Sequence, residues 1–318
     1  MRLLPYDEGQ YKRWDETIES CPNATFLHTR RFLSYHNDRF RDMSLVLEDE
    51  KQTAIGLFPA AVDPADPKHV ISHPGITFGG VLHSGRLLGQ SMVEALELIR
   101  QYYQEQGFTH LTYKAVPYIY HQSPASDDLY ALFRTGAVRS RCDLSCAITL
   151  SKRRETSSRR KRGLKKAQSR GVEVSCGAEF VDAFWRLIRD NLNRKLGIEP
   201  VHSQEEIMHL YSLFPGNIRF VVGLLNGIVV AGVTLFCTSS VMHAQYIASN
   251  AEGNEVCALD AVFEHCIQAA QSERMRYFDF GTSNTNEGQQ LTSSLYQFKS
   301  EFGGGGVAHE FYDLPLKA

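Results

Sequence analysis

A histidine two residues from a glutamine on a short apolar run is the first place where this sequence offers chemistry. Residues 241–248, VMHAQYIA, have the composition of a strand. Period-two alternation then puts His243 and Gln245 on one face and Tyr246 on the other. Imidazole titrates near neutral pH, which makes His243 a candidate general base. Tyr246 is a candidate proton donor, and Gln245 a polar group that orients a substrate. The competing reading is a polar network inside the core, in which the same side chains satisfy one another. Asp279 and Gly281, in YFDFG, end a second short strand, 276–280. Ligands of open α/β sheets gather at such carboxyl ends. No H-R-D loop and no glycine-rich nucleotide loop accompany the DFG, so it is not a kinase motif.

Other candidates lie apart from this pair. In SHPGITFGG, His73 and Thr77 stand beside Gly79 and Gly80, a pair that lets a ligand approach the backbone. His202 precedes a helix start at Ser203 and reads as a substrate contact or a turn residue. The spacing His69-x3-His73 mimics a helical metal pair, but Pro67 and Pro74 argue against a helix there. The seven cysteines, at 21, 142, 146, 176, 237, 257 and 266, are scattered, with no C-x-x-C pair. A disulfide framework and a metal site are therefore not expected. Several cysteines fall in apolar segments, where the thiol behaves as a small hydrophobe.

Charge is concentrated in one place. Residues 151–170 hold ten basic residues and one acid, Glu155, so this net +9 run leaves the rest of the chain at −11 within a total of −2. A solvated helix face needs less asymmetry than that. Arg159, Arg162, Lys165 and Lys166 are candidates for holding phosphates, whether of a coenzyme, a tRNA or a nucleotide-linked acceptor. No motif that reads double-stranded DNA accompanies the charge.

Elements that would position these groups occur twice in the same order. The second half reads as helices at 180–196 and 203–214, the latter opened by an S-x-x-E capping box at Ser203 and Glu206. Strands follow at 218–225, 228–237 and 241–248, the first two joined by an Asn226-Gly227 turn. A helix at 257–272, a strand at 276–280, a helix at 291–301 and a strand at 307–312 complete it. The first half reads as helices at 11–20 and 29–37, strands at 44–47, 53–62 and 76–82, a helix at 88–105, a strand at 110–115, a helix at 126–134 and a strand at 143–150. The class is α/β with mixed sheets, in two domains, 1–150 and 151–318. A chain of 318 residues fits two cores better than one.

Composition excludes several classes. The 43% apolar and 22% charged fractions are those of a globular protein, not of a disordered or fibrous one. The longest apolar stretch, 220–236, is interrupted by the Asn-Gly turn, so it reads as two strands and no membrane span is expected. MRLLPYDEGQYKRWDE carries no apolar leader segment, which makes a cytoplasmic location the expectation.

Six segments together resemble the tandem GNAT-like acyltransferases, the family of Fem-type peptidyltransferases and their acyl-CoA-using relatives. They are ATFLHTRRFLSYHNDRF (24–40), SHPGITFGGVL (72–82), RRKRGLKKAQSRGVEV (159–174), PVHSQEEI (200–207), HAQYIASN (243–250) and YFDFGTSN…LYQFKSEFGG (277–304). The resemblance implies two GNAT-like domains in tandem, the first on the acceptor side and the second carrying the chemistry. It implies a transferase and does not select the donor; the activity expected is N-acyl transfer from acyl-CoA to an amine of a small or nucleotide-linked acceptor. Aminoacyl-tRNA-dependent peptidyl transfer is the alternative within the family, and a catalytically silent binding protein the alternative outside it. No heptad run marks the coiled-coil arm of some tRNA-dependent members, which favours a thioester donor. The chain offers no convincing covalent nucleophile, so direct attack by a bound amine is the economical mechanism. Lys299 matches the Phe-Lys pair before Gly-Gly in the Fem pattern, which implies an ammonium at the reacting carbonyl. By itself it reads as a solvated lysine on a helix. GNAT enzymes cradle the coenzyme A pyrophosphate after their fourth strand, here SNAEGNEV, which implicates Asn250 and Gly253. That segment lacks the family's [QR]-x-x-G-x-[GA] signature.

Overall fold

The computed structural model describes residues 1–316. The chain forms two compact units, one of Met1–Asp143 with Asn284–Gln290 and Ala308–Ala318, the other of Leu144–Ser283 with Leu291–Val307.

In the first unit, β1 (Arg2–Pro5), α1 (Tyr11–Ser20), α2 (Arg30–Leu33), β2 (Leu45–Glu48), β3 (Ala54–Phe58), β4 (Ala61–Asp63), β5 (Asp66–Ile71), β6 (Leu82–His83), α3 (Gln90–Glu105), β7 (His110–Lys114), α4 (Asp127–Arg134) and the start of β8 (Val138–Thr149) follow in order. An antiparallel sheet β1-β2-β3-β6 accompanies the strands β4-β5-β7, in which β5 and β7 are parallel, with α3 in the crossover. Two expectations fail here. The strand expected at 53–62 divides at Pro59, whose missing N–H breaks a ladder, and Ala61–Asp63 turns back on Asp66–Ile71 instead. The strand expected at 76–82 is mostly irregular, with only Leu82–His83 paired; Gly79 there bonds to the Lys114 carbonyl and Gly80 has a φ of +81° that breaks an extended run. The core joins Met92, Leu96 and Ile99 of α3 to Leu45, Leu47, Phe58, Leu111 and Tyr113.

The second unit begins within β8 and continues with α5 (Ser158–Ser169), β9 (Glu173–Cys176), α6 (Val181–Leu196), α7 (Gln204–Leu213), β10 (Ile218–Leu225), β11 (Ile228–Cys237), β12 (Val241–Ser249), α8 (Ala251–Glu255), α9 (Ala258–Ser272) and β13 (Tyr277–Thr282). The two-residue strands β14 (Asn284–Thr285), in the first unit, and β15 (Gln290–Leu291), at the return to the second, precede α10 (Ser293–Ser300) and β16 (Gly305–Pro315). The second unit's strand order is β8-β13-β12-β11-β10-β9, with β12 and β13 the parallel pair and α9 their crossover. Asn226 and Gly227 both have positive φ, 52° and 78°, as a type I′ turn requires. Ser203 and Glu206 form the capping box of α7. Phe263, Cys266, Ile267 and Ala270 of α9 pack on Val221, Val233, Met242 and Phe278. A side chain the size of Phe263, fully buried, contributes about 2–3 kcal/mol.

Chain order and spatial order part company at the end. From Ala308 onward β16 belongs to the first unit, where Phe311 pairs with Lys114 and Leu314 with Leu111. The strand expected at 307–312 exists, but its partner is β7, because Leu314 and Leu316 complete the core of the first unit.

Candidate functional site

Strands β12 and β13 run in parallel register from Val241↔Tyr277 to His243↔Asp279, and there the ladder ends although both strands continue. At this last rung the imidazole Nδ1 of His243 lies 2.9 Å from Oδ2 of Asp279. Asp279 is fully buried, and its Oδ1 accepts from the Ser145 hydroxyl and from the Gly281 N–H at 3.0 Å. A carboxylate so placed accepts from Nδ1–H, which leaves the lone pair of the neutral ring on Nε2. The His243 side chain keeps 12% of its surface exposed.

Gly281 closes this group. Its φ of +75° lies where glycine alone sits without strain, and a Cβ there would come within 3.3 Å of His243 Cε1. Lys299, in the last turn of α10, donates to the carbonyls of Gly281 at 3.0 Å and Thr282 at 2.6 Å. It is 3% exposed, so the reading of a solvated lysine is overturned. Burial lowers its ammonium to about 8, with Asp279 and Cys146 acting in the opposite sense. Lys299, His243 and Asp279, separate in sequence, are therefore one connected set.

The expected alternation along β12 is broken. Thr234 pairs with Tyr246 but Leu235 with Ala244, so Gln245 is the extra residue of a β-bulge. Met242, Ala244 and Ile247 pack in the core with α9, whereas Tyr246 meets Trp185 of α6 edge-on at 5.1 Å. Tyr246 thus shares the face of His243 and not the opposite one. Its hydroxyl accepts the His202 N–H at 3.2 Å and lies 2.5 Å from His202 Nδ1. Burial pushes the Tyr246 hydroxyl pKa upward. His202 is buried, and this bond gives it a role beyond the turn.

The basic run is partly structural. Arg160 is buried, bonding both oxygens of Asp260 at 2.9 and 3.0 Å and Glu301 at 3.0 Å, with its guanidinium 4.7 Å from the Phe298 ring. Burial pushes the Asp260 carboxyl up to about 6, while Arg160 pulls it back. Arg153 is bonded to Glu264. Arg159, 3.9 Å from Glu301, lines a cavity of about 410 Å³ with Arg162, Lys166, Gly253, Asn254 and Cys257. Lys165 is exposed and outside that lining. Asn250 turns inward, accepting the Gly253 N–H at 2.7 Å as the cap of α8. Gly253 is required by its own surroundings, since a Cβ would lie 2.6 Å from Ser249 Oγ.

In the first unit the glycine pair serves the chain itself. Gly79 packs on Ser72 and donates to the Lys114 carbonyl at 2.9 Å, and Gly80, at φ +81°, abuts the Tyr113 hydroxyl. The expectation of a ligand lying against these glycines is thus corrected: protein atoms fill that space. His73 is buried between His36 and Phe40, which lowers its pKa through desolvation, and Thr77 is exposed. Among the described residues no three His, Cys, Asp or Glu side chains form a metal cluster. No helix among them is long and apolar enough to cross a membrane.

Residues 151–299 match the family model described as an acetyltransferase (GNAT) domain. That stretch, just under half of the chain, is a GNAT-type acetyltransferase domain. Among solved structures, the fold of the chain resembles that of FemX at 11% identity with a TM-score of 0.70, covering 99% of this chain and 97% of that one. It is similar to the C-terminal domain of a putative lysylphosphatidylglycerol synthetase from Agrobacterium fabrum, at 8% identity and TM-score 0.62, covering 95% and 92%. A tandem GNAT protein from the clavulanic acid biosynthesis pathway matches at 11% and TM-score 0.53, covering 100% and 99%. At such identities the likeness is one of fold, and no curated protein matches significantly in sequence. Ser145, Arg160 and Asp260, which join these groups, carry no signal of that role in the sequence. Nothing local marks Ser145, a small residue in an apolar strand.

Proposed function

We propose that the chain is an N-acyltransferase in which an acceptor amine attacks an acyl thioester directly and His243 Nε2 takes the proton. The observation that carries this reading is the His243–Asp279 pair at the rung where β12 and β13 separate. An imidazole oriented by a buried carboxylate is placed to take a proton from a bound amine. The amine nitrogen bonds to the thioester carbon, the carbon–sulfur bond breaks, and the thiolate leaves. Tyr246, on the same face, is the donor that protonates it, with His202 orienting its hydroxyl. Lys299 holds the Gly281–Thr282 backbone in place, and in this reading it acts through that backbone. Gln245, Asp279 and His202 shape the acceptor side, and the acceptor is a small or nucleotide-linked amine.

The cavity lined by Arg159, Arg162 and Lys166 supports a phosphate-bearing donor, acyl-CoA. Gly253 contributes to its wall, and Asn250 holds Gly253 there by accepting its N–H. A tRNA-linked donor is the second reading, favoured by the exposed cations Lys152, Lys165 and Arg170 beyond the cavity. Melting the protein with acetyl-CoA or desalted coenzyme A separates the two. At 100 times the dissociation constant a ligand adds about 2.7 kcal/mol. A shift of several degrees supports the thioester. No shift with either ligand, together with salt-sensitive binding of tRNA, transfers the reading to the second donor.

A further inference from the structure

We propose that Ser145 is a positioning residue for the base, fixing which oxygen of Asp279 faces His243. This rests on the reading of His243 as the base. Ser145 is fully buried on β8, followed by Cys146, Ala147 and Ile148, which are apolar and buried too. An alanine would occupy the same place without the cost of burying a hydroxyl. The hydroxyl instead meets Asp279 Oδ1. Its reach depends on a register irregularity: Asp279 pairs with Ala147 but Thr282 with Ser145, so three steps on β13 face two on β8. The same irregularity places Gly281, whose N–H is the second donor to Oδ1.

A carboxylate rotates about its terminal torsion with little preference. Two donors converging on Oδ1 from different strands hold the plane of Asp279, and Oδ2 is left for His243 Nδ1 at 2.9 Å. The consequence is chemical. With Oδ2 fixed on Nδ1–H, the imidazole keeps the tautomer whose Nε2 lone pair is available to an amine. Without the Ser145 hydroxyl one of the two donors to Oδ1 is gone, and the ring samples the Nε2–H tautomer, which has no lone pair to offer on that nitrogen.

The test reads the ring directly. Protein labelled with nitrogen-15 in its histidine rings gives long-range proton–nitrogen correlations that report each tautomer, with His243 assigned by loss of its signals in His243→Asn. The native ring should show Nδ1–H, and Ser145→Ala a mixture of both forms. Ser145→Cys, which keeps the shape with a weaker donor, should fall between them and serves if the alanine variant melts early. In acetyl transfer from acetyl-CoA to an amine found by screening, kcat should fall about 10- to 100-fold in Ser145→Ala, the scale of one hydrogen bond to a charged group. KM for acetyl-CoA should not move. A native ring carrying its proton on Nε2, or an unchanged Nδ1–H tautomer in both folded variants, overturns the proposal. Tautomer changes as stated with no amine ever acylated would leave the positioning intact and remove the base reading instead.

Discussion

Gly163→Ala sets helix propensity against the fit of α5 on α9. Alanine is better than glycine inside a helix by about 0.8–1.0 kcal/mol, and Gly163 lies in the interior of Ser158–Ser169. A Cβ built there falls inside contact distance of Asp260 Oδ1 and 2.7 Å from its Cγ. Carbon atoms pack at about 3.5–4.0 Å, so the carboxyl or the helix must retreat by about 1 Å. The Arg160 bonds to Asp260, now 2.9 and 3.0 Å, would then exceed hydrogen-bonding range. Breaking a buried charged pair costs about 3–5 kcal/mol, leaving a net loss of about 2–4 kcal/mol. That is a fall of roughly 5–15 °C in melting temperature for a unit of this size. Thermal and urea unfolding measure it, and a cycle with Asp260→Ala tests whether the loss runs through that carboxyl. Because α5 carries Arg159, Arg162 and Lys166, acetyl-CoA affinity should weaken in the folded variant as well. A Gly163→Ala protein as stable as the native one would refute the reasoning, since propensity would then have won.

His243→Asn should lower kcat by about 10²–10⁴-fold with acetyl-CoA binding unchanged; an unaltered rate removes His243 from the mechanism. Lys299 gives a prediction in pH. The folded ammonium loses its proton near 8 and the unfolded one near 10.5, so the unfolded chain binds more protons between those values and stability rises with pH there. Native protein should therefore gain about 1–2 kcal/mol on Lys299→Met between pH 8 and 9.5, read from urea midpoints; parallel curves would contradict the burial argument. Gly80→Ala, at φ +81° with a Cβ 2.6 Å from the Tyr113 hydroxyl, should disturb the Tyr113 bonds to Val81 and Asp128. About 2–4 kcal/mol should be lost, seen as earlier unfolding, and an unchanged melt would show that the 72–80 segment yields.

What the sequence determined by itself was local. The Asn226-Gly227 turn, the Ser203–Glu206 box and the helical spacing of 257–272 are decided by neighbours a few residues apart, and each has its own physical signature in the chain. The order of elements in the second half could be read for the same reason, and so could the excess of charge at 151–170. Tertiary structure decided the rest. Whether Lys299 is solvated or buried depends on where α10 lands. Which face Tyr246 takes depends on one bulge residue, Gln245, that no alternation pattern announces. Arg160 differs from Arg159 and Arg162 in being buried against Asp260, a hundred residues away, and Glu301, and Ser145 acquires a partner from a strand formed by 277–282. The last strand joins β7 because the apolar residues it carries complete a core that residues near it in sequence do not build. Periodicity and turn chemistry act over a few residues, whereas desolvation and charge pairing act between whichever groups packing brings together.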